Sequence, residues 1–113
     1  MRLIRFPEGL VIVEKGGVPI GQIELQIKKI ENKEIGYVNL FYLTPEYREK
    51  GYGSILIDYA ESYFYKHKLK EYQLRVSTTN QRAIRFYKKY GFNLLRIEKE
   101  ETVPRYRMRK CLA

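Results

Sequence analysis

The stretch Leu40-Phe41-Tyr42-Leu43-Thr44-Pro45-Glu46-Tyr47-Arg48-Glu49-Lys50-Gly51-Tyr52-Gly53-Ser54-Ile55-Leu56 decides the fold. It opens as an apolar, aromatic run, and Thr44-Pro45 ends that run because proline stops a strand. A basic turn carrying Gly51 and Gly53 follows. Apolar residues at 55, 56, 59, 60, 63 and 64 then recur with helical spacing. Strand, glycine turn and helix start together make a place for an anion. The first backbone N–H groups of a helix lack internal partners and lie at the positive end of its dipole. Gly51 and Gly53 carry no side chain, so a phosphate can approach the backbone, and Arg48 and Lys50 add positive charge beside it. The same residues also fit a plain strand-to-helix connection with a solvated basic rim, and the glycine pair alone does not separate the two. Two other phosphate motifs are excluded. A dinucleotide fingerprint needs a third glycine where this chain has Leu56, and the Gly-Lys-Ser/Thr of a P-loop is absent.

The chain has 113 residues, the size of one domain over 1–113 with a real core. Eleven Tyr and five Phe without Trp predict a core and a cleft rich in aromatic surface. A formal net charge of +9 implies an anionic partner, either a phosphorylated cofactor, nucleic acid or an acidic protein. Cys111 is the single cysteine, which excludes an intramolecular disulfide and any multi-cysteine metal site, and no metal is expected. Met1 to Pro7 contains no long apolar segment. No secretory signal and no membrane span is therefore expected, and a cytoplasmic location is.

Further strands flank the central stretch. Leu10-Val11-Ile12-Val13 is a continuous apolar run, expected as a strand buried on both faces. Gly16-Gly17 marks a hairpin turn. Ile23, Leu25 and Ile27 alternate with Gln22, Glu24, Gln26 and Lys28, the pattern of a strand with one face on the core. Glu31-Asn32-Lys33 reads as the next turn, and Ile35 to Leu43 as a long central strand that completes an antiparallel meander. A helix over about 52–68 ends in Lys66-His67-Lys68, cations suited to its negative end, and His67 reads as solvated. Tyr72 to Val76 alternates as a strand, and strand–helix–strand order predicts a right-handed crossover with this strand parallel to the one ending at Leu43. Thr78-Thr79-Asn80 can cap a second helix that carries Asn80, Ala83, Ile84 and Tyr87 on one side and ends at Gly91. A strand over 92–97, a loop over 98–103 and a strand over 104–112 follow. Arg105, Arg107 and Arg109 share one face of that last strand.

Three groups of these residues carry a family resemblance. Arg48-Glu49-Lys50-Gly51-Tyr52-Gly53 resembles the signature of the GNAT superfamily of acetyl-CoA-dependent N-acetyltransferases, a Gln or Arg followed by two residues and then Gly-x-Gly or Gly-x-Ala. Asn80, Ala83, Phe86-Tyr87 and Gly91-Phe92 resemble its second signature, Asn-x-x-Ala-x-x-x-Tyr-x-x-x-Gly-Phe, and Tyr106-Arg107-Met108 its closing strand. The resemblance spans residues 10 to 112. It implies an α/β (α+β) fold with a mixed sheet splayed between the strand ending at Leu43 and the one ending near Ser77. Acetyl-CoA would lie in that opening. The backbone of Phe41, Tyr42 and Leu43 would pair with the pantetheine arm. The amides of Lys50, Gly51, Tyr52, Gly53 and Ser54, beside Arg48, would hold the pyrophosphate. Asn80 would contact the cofactor arm, and Tyr87 would stand near the sulfur. A phenol with a pKa near ~10 remains protonated at neutral pH and can donate to a departing thiolate.

The implied activity is acetyl transfer from acetyl-CoA to a primary amine, on a small molecule or a peptide, by direct attack in a ternary complex. Two departures from the family pattern stand out. Only nine residues precede Leu10, so the strand and two helices that usually wall the acceptor site are expected to be largely missing. A bulky acceptor, a homodimer or a partner chain would then complete the site. No general base is evident either. Tyr37 and Asn39 stand where some relatives place a carboxylate, and the nearest acids are Glu24 and Glu34. Two alternatives remain open: an inactive acetyl-CoA-binding module or subunit of a larger complex, and a small nucleic-acid-binding domain that uses the Arg105, Arg107 and Arg109 stripe.

Overall fold

The computed structural model describes residues 1–99 and 103–112. Seven strands form one sheet in the order β1-β2-β3-β4-β5-β7-β6. They are β1 (Arg2–Arg5), β2 (Leu10–Lys15), β3 (Val18–Ile30), β4 (Lys33–Leu43), β5 (Glu71–Ser77), β6 (Asn93–Glu98) and β7 (Arg105–Cys111). Helix α1 (Gly53–Lys66) joins β4 to β5, and α2 (Gln81–Lys89) joins β5 to β6. All pairings are antiparallel except β4 with β5, as the crossover rule requires. The expected loop over 98–103 falls in part outside the described residues.

Both helices pack on one face of the sheet. Phe64 of α1 lies against Tyr72 of β5, with ring centroids 5.1 Å apart, and Tyr87 of α2 lies against Phe92, which itself meets Tyr72 at 5.1 Å. The buried cluster beneath them includes Val11, Val13, Ile23, Leu25, Val38, Leu74 and Met108, the inward positions of alternating strands. Lys110 of β7 and Tyr72 both meet Glu61 of α1, which ties this helix to the centre of the sheet. No helix among the described residues is long and apolar enough to cross a membrane.

Two expectations need correction. Val11 and Val13 are buried, but Leu10 and Ile12 are only half-buried, so β2 has one core face rather than two. The continuous apolar run misleads because β1 covers one edge of β2 and nothing described packs fully on its outer face. The strand expected to be largely missing before Leu10 is present as β1. Its four residues are too short for a convincing pattern, yet they pair in register from Arg2 with Glu14 to Arg5 with Val11.

Candidate active site

The parallel pair β4/β5 is joined at only two positions, Gly36 with Tyr72 and Tyr37 with Gln73. Beyond them the strands part. Gly36 sets the close end of the wedge, because an added Cβ would lie 2.6 Å from the Phe64 ring. The splayed end coincides with a β-bulge: Leu25 pairs with Val38 and Glu24 with Leu40, which leaves Asn39 as the extra residue. A bulge bends its strand and increases local twist. Here it also places Val38 and Phe41, three residues apart, opposite the inward positions Leu25 and Ile23. A cleft of about 680 Å³ fills the opening, lined by Val38 to Leu43 on one side and Leu74 to Ser77 on the other.

The glycine turn forms one end of this cleft. Gly51 has φ +86°, the left-handed region that favours glycine, and a Cβ there would meet nothing within 4 Å. Helix α1 begins at Gly53 with no side-chain cap. Arg48 N–H donates to Pro45 and Ile55 N–H to Tyr52; among the described residues no amide between them donates to a backbone carbonyl. This cluster of unpaired donors suits an anion. Gly53 has a second role. A Cβ on it would lie 2.3 Å from Cε1 of Phe86, so the start of α1 and the cleft side of α2 touch at a glycine–aromatic contact.

Helix α2 supplies the remaining wall. Asn80 is its N-cap, and its side-chain oxygen accepts a hydrogen bond from Ala83 N–H at 3.1 Å. At the other end Gly91, at φ +95°, lets Gly91 N–H reach Lys88 and Phe92 N–H reach Tyr87. That turn folds Phe92 under the Tyr87 ring. Tyr87 is enclosed by Phe41, Phe86 and Phe92 at centroid distances of 6.5, 5.5 and 5.5 Å. Burial pushes its phenol up to about 12, with Arg82 acting in the opposite sense. The group is therefore a neutral donor across the physiological range.

Residues 2–92 match the model of the acetyltransferase (GNAT) family. The chain belongs to the GNAT acetyltransferase family. It is 32% identical over 91 residues to an uncharacterized N-acetyltransferase of Methanocaldococcus jannaschii, a match that covers 78% of this chain and 40% of that protein. The chain thus spans about two fifths of that relative's length. Among solved structures, Ard1 from Thermoplasma volcanium superposes with a TM-score of 0.80 at 28% identity, covering 96% of this chain and 73% of that one. Arabidopsis thaliana Naa50, solved with the bisubstrate analogue CoA-Ac-MVNAL, superposes with a TM-score of 0.79 at 27% identity, covering 91% and 72%.

Within this GNAT cleft the structure brings together Phe41, Tyr42, Leu43, Arg48, Gly51, Gly53, Asn80 and Tyr87. The side chains of Lys50, Tyr52 and Ser54 do not line it. Tyr52 turns to Tyr47 and Lys15, and the Ser54 hydroxyl donates to the Gly51 carbonyl at 2.9 Å. Arg48 is partly committed already: Nε donates to the Leu43 carbonyl at 2.9 Å, and its guanidinium lies 5.4 Å from the Tyr42 ring centroid. Arg75, Arg82, Arg85, Lys89 and Tyr90 also line the cleft and were not singled out from sequence. For 82, 85 and 89 the signal was present, since they follow one another at separations of three and four residues and so share one side of α2.

The expected arginine stripe is different in kind. Arg107 forms a two-pronged pair with Glu98, at 2.8 and 3.1 Å, and reaches Gln73 at 3.2 Å. Arg96 joins the same carboxylate at 3.0 Å. Hydrogen bonding from Arg107 holds the Glu98 carboxyl below its usual range. Arg107 is thus a structural ion-pair partner that leaves little of its charge for a polyanion.

Proposed function

We propose that the cleft binds acetyl-CoA and that the chain transfers the acetyl group to a primary amine by direct attack in a ternary complex. The observation that carries this reading is the two-pair junction of β4 and β5, which opens onto unpaired amides at one end and the Tyr87 phenol along its wall. In this reading the free edge of Phe41–Leu43 takes the pantetheine arm. The turn amides from Lys50 to Ser54 take the pyrophosphate, and the unused NH₂ of Asn80 contacts the arm. The attacking nitrogen forms the new amide bond as the carbon–sulfur bond breaks, the proton it loses passes to water in the open cleft, and Tyr87 O–H donates a hydrogen bond to the departing thiolate sulfur. A phenol near 12 does not readily surrender its proton to a thiolate whose acid lies near ~8.5. Tyr87 therefore acts mainly as a hydrogen-bond donor to developing charge.

The acceptor reading we favour is a peptide α-amine. Among the described residues the acid lining the cleft is Glu49, which lies in the turn rather than beside Tyr87. A lysine amine near ~10.4 needs a base before attack, whereas an α-amine near ~7.7–8.0 is already partly neutral. The peptide-containing bisubstrate analogue bound by Naa50 supports the same direction. The test is thiol release from acetyl-CoA at pH 7.5 with two peptides, one with a free α-amine and one with only a lysine amine free. The free-amine fractions alone predict a preference of about 200- to 300-fold for the first. Equal rates would overturn the acceptor reading. CoA binding without thiol release from any amine would leave a binding module.

A further inference from the structure

The end of the sheet opposite the cleft carries a second concavity. It lies on the far side of the two-pair junction of β4 and β5, between the β3–β4 turn and the turn that follows α1. Its volume is about 550 Å³, and buried Leu69 forms part of its wall. Four cations, Lys29, Lys33, Lys68 and Lys70, line it together with one carboxylate, Glu34. Lys33 is committed to Glu71 at 2.8 Å, whereas among the described residues Lys29, Lys68 and Lys70 form no ion pair. Lys68 has φ +59°, at the position closing α1 where glycine is the usual residue, and Leu69 N–H reaches back to the Phe64 carbonyl at 3.1 Å. The helix dipole favours a cation at this end, but Lys66 already stands in the last turn. His67 gives the same pocket a flat surface. Its Nδ1 lies 2.9 Å from the Tyr63 carbonyl oxygen and its ring 4.7 Å from the Tyr63 ring, so a neighbour holds the imidazole where it lines the pocket.

From this arrangement we infer that the pocket docks single-stranded nucleic acid, with backbone phosphates on Lys29, Lys68 and Lys70 and a base on the His67 ring. Like charges gathered around one concavity repel, and a polyanion in it removes that repulsion. Lysine binds phosphate as a point charge, without the fixed fork that an arginine brings to a carboxylate. No arginine lines this pocket. Cations for the backbone beside a ring for a base are what a single strand requires. An acidic peptide would use the lysines and gain nothing from the ring. A concavity also admits a splayed base more readily than the outer surface of a duplex. The net charge of +9 pointed to an anionic partner, and Arg107, in the stripe first considered for one, is spent on Glu98. Because the pocket is separate from the cleft, this inference does not depend on the acetyl-transfer reading.

Fluorescence anisotropy of a short labelled uridine strand tests this. Three phosphate contacts predict that wild-type affinity falls about 20-fold between about 50 and 200 mM salt. The Lys29→Gln/Lys68→Gln/Lys70→Gln variant should bind at least about tenfold more weakly at the lower salt and lose most of the salt dependence. His67→Ala should weaken binding by about fivefold or more with the salt dependence unchanged, the mark of lost stacking. Arg2→Gln/Lys88→Gln/Lys99→Gln removes the same charge from exposed positions elsewhere and should stay within about threefold of wild type. Circular dichroism checks that each variant is folded. Absence of wild-type binding would overturn the inference, as would an equal loss in the two triple variants. Displacement of the strand by CoA would place it in the cleft and overturn the assignment to this pocket. Equally tight binding of a polyglutamate peptide, or of a duplex of the same length, would overturn the assignment to a single strand.

Discussion

Gly53→Ala separates two reasons for a glycine at the start of α1. If glycine is needed only so that a phosphate can approach, alanine should weaken CoA binding and leave the fold unharmed. The structure adds a packing reason. The new methyl would lie 2.3 Å from Phe86 Cε1 and 2.9 Å from Cζ, whereas ordinary carbon contacts begin near 3.4 Å. The ring must therefore move by roughly 1 Å, and it sits on the helix that carries Tyr87. Overpacking of this kind costs about 1–3 kcal/mol, against which alanine regains up to ~1 kcal/mol of helix propensity. A net loss of about 1–2 kcal/mol is expected in urea unfolding. Phe86→Leu shortens the ring side that clashes, so the Gly53→Ala cost should shrink in that background, with a coupling of about 1 kcal/mol in the double-mutant cycle. CoA affinity should follow the same cycle. A Gly53→Ala protein as stable as wild type, or a cost unchanged by Phe86→Leu, would refute the packing argument.

Tyr87→Phe should preserve CoA affinity and lower turnover by about 10- to 100-fold, the value of one hydrogen bond to developing charge, as read from single-turnover thiol release. Because the phenol titrates near 12, the wild-type kcat/KM profile should show no falling limb from Tyr87 up to about pH 10, and a fall near neutrality would contradict its assignment. Asn80→Ser keeps a capping oxygen but loses the amide NH₂, so urea unfolding should move by a few tenths of a kcal/mol while CoA affinity drops; Asn80→Ala should cost about 1 kcal/mol as well. Glu98→Gln removes the charge that partners Arg107, whose side chain is 12% exposed, and should destabilise by about 3 kcal/mol. Since the folded pKa of Glu98 is depressed, its contribution is complete above its unfolded value near ~4.3 and fades as pH falls through the folded value. Acid unfolding should accordingly be less steep in Glu98→Gln.

Much of the fold was legible because local patterns and global pairing agree. Ile23, Leu25 and Ile27 alternate on β3 and face the core as their period requires, and Gly16-Gly17 joins strands paired at Lys15 and Val18. Where the reading fell short, the deciding contact is distant in sequence. Nothing around Asn39 announces a bulge, because the extra residue is defined only by its register against Glu24 and Leu25. Arg105, Arg107 and Arg109 do alternate on one face, yet only β6 pairing beside β7 reveals that Glu98 occupies Arg107. Gly53 shows the same limit. Its sequence neighbourhood suggests ligand approach, and its tighter constraint comes from Phe86, 33 positions later.

The second signature, Asn80 to Phe92, has a physical unity that its spacing alone does not disclose. Asn80 caps the first turn through Ala83, and Gly91 closes the last turn so that Phe92 returns beneath Tyr87. Asn80, Ala83, Gly91 and Phe92 thus build and seat the helix, and Tyr87 lines the cleft. The position of the Tyr87 phenol depends on both ends of α2, because each end fixes the rotation of the helix over the cleft. A loss of activity on altering Asn80 or Gly91 therefore cannot be assigned to chemistry until stability is measured in the same protein. Tyr87→Phe escapes this ambiguity: it leaves both caps and the aromatic packing in place and removes a single oxygen.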